Sequence, residues 1–145
     1  MTTSMSRTTL PIGAIVGGVG GVLAAVGAFI AWESVSIAGT GESMTGWDGG
    51  NGGKIIAVLG LVAIAVAVAW ARGTRIPSPG RVMVVAGVLV LLVGVLNYSS
   101  VNDDVNAGNA MVPGAASVGI GIYLDLLAGV AIIVGGVLGL RARQN

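Results

Sequence analysis

The run IIAVLGLVAIAVAVAWA at residues 55–71, the turn RGTRIPSPGR at 72–81 and the run VMVVAGVLVLLVGVLNY at 82–98 decide how this chain folds. Both runs are apolar on every face. They show neither the two-residue alternation of a barrel strand nor the polar stripe of a surface helix. Each approaches the ~20 residues that a helix needs to cross the hydrocarbon of a bilayer. In lipid the backbone N–H and C=O groups must be satisfied within the segment, which leaves the α-helix. The turn between the runs is short and rich in proline and glycine, so the two helices are expected to be antiparallel neighbours.

Two further runs, at about 10–32 and 118–140, complete a set of four. The sequence therefore predicts an all-α membrane protein, a four-helix transmembrane bundle forming a single domain over residues 1–145. Composition agrees: 54% of the residues are hydrophobic and 9% charged, against roughly a quarter charged in a soluble domain. Mean hydropathy is +0.95. The first run follows Arg7 and could pass for a secretory leader, but its apolar stretch is too long for one. Phe29 also stands where a cut after Ala31 wants a small residue, so this run is expected to be a span.

Six of the seven basic residues, Arg7, Arg72, Arg75, Arg81, Arg141 and Arg143, fall at the amino end, in the 72–81 loop or at the tail. Lys54 stands alone on the other side. Lysine and arginine asymmetry in short loops sets orientation, so both termini are expected in the cytoplasm of a multi-pass plasma-membrane protein. Glu33, Glu42, Asp48, Asp103 and Asp104 then lie outside. Trp32, Trp70, Tyr98 and Tyr123 stand at or near run ends, where amphipathic rings favour the headgroup level, and are expected to be interfacial anchors.

The first external loop alternates polar and apolar residues over 34–37 and 43–45, on either side of Gly39, Thr40 and Gly41, which suits a small β-hairpin. An isolated hairpin is marginal in water, so this one needs the membrane surface or a second loop behind it. Residues 46–54 are expected to be a flexible entry to the second helix, and residues 99–114, rich in Asn, Asp and Gly, an irregular loop.

Helix one carries Gly13, Gly17 and Gly21 at four-residue spacing, and helix four repeats the device with Gly135 and Gly139. In lipid, small residues so spaced let helix backbones approach closely, within a protomer or between protomers. Asp125 is the one ionisable residue well inside a span, on a stripe with Gly121 and Gly129 that turns it toward another helix. With no lysine or arginine in the spans, it is expected to keep its proton and to donate a hydrogen bond to a neighbouring helix. A role in a hydrated ion path is the alternative.

Cysteine and histidine are both absent, which removes disulfides, thiol nucleophiles, imidazole bases and nearly all zinc chemistry. Asp48 with Asn51, and the group Asn102, Asp103, Asp104, Asn106 and Asn109, do not reproduce a calcium loop and read as solvated polarity. No catalytic residue, cofactor, metal site or nucleic-acid partner is expected. The expected partners are the lipid bilayer and either further copies of the chain or other membrane subunits.

The residues Gly46, Trp47 and Asp48 with Gly52, Gly53 and Lys54 leading into helix two, and GIGIYL at 119–124 opening helix four, resemble small four-span bacterial membrane proteins. The topology also resembles claudins, whose first external loop forms strands around a W…GLW…C…C pattern. Trp32 and the pair Gly46–Trp47 are similar to part of it, but no leucine separates that pair and both cysteines are missing. The resemblance implies a fold, and for function a cell-surface contact role only by analogy. Taken together, the chain reads as a non-enzymatic protein acting through helix packing, as a homo-oligomer or an accessory subunit. A small channel using Asp125 and a claudin-like contact protein are the alternatives.

Overall fold

The computed structural model describes residues 11–142. Arg7, Leu10 and Arg143, which entered the reading of topology and of the first run, lie outside the described residues. In chain order the elements are α1 (Ile12–Gly27), β1 (Ala31–Ile37), β2 (Thr40–Thr45), α2 (Asn51–Ala71), α3 (Pro79–Met111), β3 (Ala116–Val118) and α4 (Ile120–Ala142). The molecule is mostly helical, with a small three-stranded sheet at one end. Helices α2, α3 and α4 are each long and apolar enough to cross a membrane, and α1 is shorter at 16 residues.

The four helices pack in a ring, each against the next in sequence and α4 back against α1. The core is narrow because its seams are built from small residues. Ile56, Met83, Val90, Ile122 and Ile132 fill the centre, and Ala14, Ala24, Ala63 and Ala128 line it. Larger apolar side chains, including Val19, Leu61, Val85, Leu92 and Leu127, point outward and are more than half exposed. A soluble domain inverts that arrangement.

The strand order is β2-β1-β3, all antiparallel. The expected hairpin is present, and β3, from the second external loop, supplies the backing it needs. Ile37 pairs with Thr40 across a two-residue turn in which Ala38 and Gly39 have φ of 52° and 85°. Positive φ at both positions matches the right-handed twist of the strands.

Three expected boundaries are corrected. The first apolar run does not stay helical to Trp32. Helix α1 ends at Gly27, and residues 31–37 turn into β1. The presumed flexible entry to helix two is partly helix, since α2 begins at Asn51. The loop expected over 99–114 is mostly a continuation of α3, which runs 33 residues to Met111. Extending a formed helix costs far less than starting one, and the extension packs against β3, with Val105, four residues after Val101, buried. Asn109 completes that contact: its side-chain amide donates to the Ala116 carbonyl at 3.0 Å, and its oxygen accepts from the Ala116 N–H at 2.9 Å.

Candidate functional site

The polar feature of the interior is the junction between the sheet and the bundle. Between the pairs Ala31–Thr45 and Glu33–Met44 the register of β1 shifts, leaving Trp32 unopposed. A bulge of this kind re-aims a side chain. Here it turns the indole into the bundle, where Trp32 is 5% exposed. Its Nε1 lies 3.0 Å from Asp125 Oδ2 and 3.2 Å from the Gly27 carbonyl, so one donor serves the α4 carboxyl and the carbonyl that ends α1, which also accepts from the Ile30 N–H at 3.2 Å.

Glycines make room for the indole. A Cβ at Gly46 would collide with the Trp32 ring, and one at Gly121 would sit 2.9 Å from Trp32 Cδ1 and 2.8 Å from the Gly27 carbonyl. A Cβ at Gly119 would strike the Ala31 carbonyl, where the Gly119 N–H donates to Trp32 O at 2.6 Å. Gly53, at the start of α2, lies directly on the Gly46 backbone. The motif residues Gly46, Gly53, Gly119 and Gly121 are thus brought together around one tryptophan.

Asp125 has no exposed surface. Its Oδ1 is buried without a hydrogen-bond partner, against Gly27. The expectation that it donates to a neighbouring helix is corrected in both respects: the carboxyl accepts, and its partner is the strand residue Trp32. Lys54 does not approach it. The ammonium lies 5.8 Å from the centroid of the Trp47 ring, which in turn stacks on Phe29 at 4.9 Å.

The other sequence-derived residues fall elsewhere. Gly13 and Gly17 face Gly135 across the α1–α4 seam, and Gly21 faces Gly60 of α2. These contacts lie inside the protomer. Trp70 is half-buried, and its ring fills the notch formed by Gly13 and Gly139. Tyr98 and Tyr123 meet with ring centroids 5.8 Å apart. Trp32 is therefore placed differently from the anchor role expected of it, because the bulge directs its ring inward. Among the described residues, no three His, Cys, Asp or Glu side chains gather as metal ligands.

Sequence reasoning missed the Trp32–Asp125 pair because the two residues are 93 positions apart and no local pattern links them. It also missed the tie from Asn109 to β3, for which the four-residue spacing of Val101, Val105 and Asn109 was the available signal. No protein-family model matches this chain, and no curated protein matches it.

Proposed function

We propose that the chain is a multi-pass plasma-membrane protein that crosses the bilayer four times and acts through packing, as a non-enzymatic scaffold holding a β-sheet at the external surface. It works as a homo-oligomer or as an accessory subunit of a membrane complex, with the 72–81 turn and both termini in the cytoplasm. The observation that carries this reading is the sealed junction. Among the described residues, the one buried ionisable side chain, Asp125, is spent on fastening the sheet, through Trp32, to α1 and α4.

Charge placement supports the orientation. Arg72, Arg75, Arg81 and Arg141 lie at the end opposite the sheet, while Glu33, Glu42, Asp48, Asp103 and Asp104 lie at the sheet end or on the α3 extension. At ~1.5 Å per residue α3 is roughly 50 Å long, more than the ~30 Å hydrocarbon core. Its polar final turns then stand clear of the membrane beside the sheet. An ion path through Asp125 is less well supported, because the carboxyl has no exposed surface and closes against glycine backbone and an indole.

The test starts from the absence of native cysteines. Single cysteines at Thr74 and Ala107, both exposed, should react with impermeant reagents from opposite faces of the membrane, Ala107 from outside. Labelling of both from one face would sink the four-span topology. Gentle purification followed by mass measurement then addresses assembly, where a lone monomer with nothing attached would overturn the scaffold reading.

A further inference from the structure

A groove of about 450 Å³ runs between α1 and α2 on the outside of the bundle. Ala14, Gly18 and Ala67 lie at its base, while Ile15, Val19 and Val68 stand up on its sides with 43–55% exposure. All the residues lining it are Ala, Gly, Val, Leu or Ile. The groove exists because Gly18 and Ala67 have so little to offer each other: a Cβ at Gly18 would come to 3.1 Å from that of Ala67, and nothing larger fills the space outside them.

We propose that this groove binds one acyl chain of an anionic phospholipid, with the lipid phosphate held by Arg72 and Arg75. The inference rests on the bilayer reading given above. Length argues for a lipid chain. Along α1 the groove extends from Ala14 to Leu23, about 14 Å at 1.5 Å per residue, which is about one leaflet of a ~30 Å core. Charge argues for an anionic headgroup. The groove ends at Ala71, Arg72 follows immediately, and both Arg72 and Arg75 are exposed. The chain has six acidic side chains, and none lies at that end: five are at the sheet end or on the α3 extension, and the sixth is Asp125. A phosphate at leaflet depth supplies a counter-charge, and arginine's planar fork suits it.

The experiment uses the full chain purified from nanodiscs of equimolar phosphatidylglycerol and phosphatidylcholine, with retained lipid read by native mass spectrometry. One phosphatidylglycerol should be retained per protomer. The double variant R72Q/R75Q should reduce its retention about twenty-fivefold, about fivefold for each arginine near an anionic surface. Val68→Trp, which fills the groove and leaves the charges in place, should also reduce it. Equal retention of the two lipids, or retention that neither variant changes, would overturn the proposal. So would efficient disulfide crosslinking between copies through Val19→Cys, which would place a second protomer in the groove. Release of the chain from membranes by an alkaline wash would defeat the bilayer reading itself. A chain that stays embedded without lipid preference defeats only the groove.

Discussion

The α1–α4 seam and the junction between sheet and bundle are both closed by glycine, but they are held in different ways. In the seam, backbone lies on backbone: a Cβ on Gly135 would sit 2.6 Å from both the Gly13 carbonyl and Gly17 Cα, and one on Gly20 would sit 2.8 Å from the Ile132 N. Over Gly13 to Gly20 the neighbours are backbone, apolar side chains and the Trp70 ring, so cohesion there comes from many dispersion contacts at short range. At the junction, glycines clear a space that a single indole fills, and one N–H serves two acceptors. The seam is therefore insensitive to chemistry and intolerant of volume. The junction depends on one residue's shape and one donor.

The largest effect is expected from adding volume to the seam. Gly135→Ala puts a methyl between two backbones that have no rotamer to change, and should cost about 1–3 kcal/mol or more. Gly94→Ala is the matched control. Its Cβ would meet the end of the Leu126 side chain at 3.0 Å, which can move aside, so the cost should stay below about 1 kcal/mol. Thermal unfolding in detergent of the two variants beside the parent measures the difference. Equal losses would mean that the seam is looser than its backbone separations indicate.

An intermediate effect is expected at the junction. Trp32→Phe keeps an aromatic ring but leaves Asp125 Oδ2 and the Gly27 carbonyl without this donor, a loss of about 1–3 kcal/mol. Asp125→Asn retains an acceptor and should preserve the fold. Asp125→Leu should cost about 1 kcal/mol, in line with other hydrogen bonds within membranes. The double variant Trp32→Phe with Asp125→Leu should cost less than the sum of its parts, because no buried acceptor is then stranded on α4. Strict additivity would remove the hydrogen bond from the account of the junction. An ion flux abolished by Asp125→Asn in an intact fold would instead return the channel reading to first place.

The contrast also explains what the sequence could and could not reveal. Four-residue glycine spacing is a periodic signal, so close packing through Gly13, Gly17 and Gly21 was readable, as were the four apolar runs and the hairpin. The inward direction of Asp125 followed from its stripe with Gly121 and Gly129, and those two glycines face Trp32 and Leu91. The partner of Asp125 was not readable. A tryptophan at the end of an apolar run has the profile of an interfacial anchor, and only the bulge in β1 turns it inward. Nor was the extension of α3, since Asn, Asp and Gly ordinarily signal a loop, whereas here a helix already formed continues through them with Val105 buried and Asn109 hydrogen-bonded to β3.

The smallest effect is expected at the hairpin tip, and it tests whether the two regions melt as one. Ala38 holds φ at 52°, a left-handed conformation that costs a non-glycine residue of this kind roughly 1–2 kcal/mol. Asparagine tolerates that conformation better, and Asn-Gly is the preferred pair for a turn with positive φ at both central residues. Ala38 is exposed, and the turn is already closed by the Thr40 hydroxyl donating to the Ile37 carbonyl at 2.8 Å. Ala38→Asn should therefore relieve part of the strain without a new packing contact, a gain of about 0.5 kcal/mol. If Trp32 and Asp125 fasten a separately stable sheet to a separately stable bundle, hydrogen exchange should slow at Ser36 and Gly41 while amides in α2 and α4 keep their rates. If exchange slows equally across the helices, sheet and bundle unfold together, and the junction is an interior part of one cooperative core.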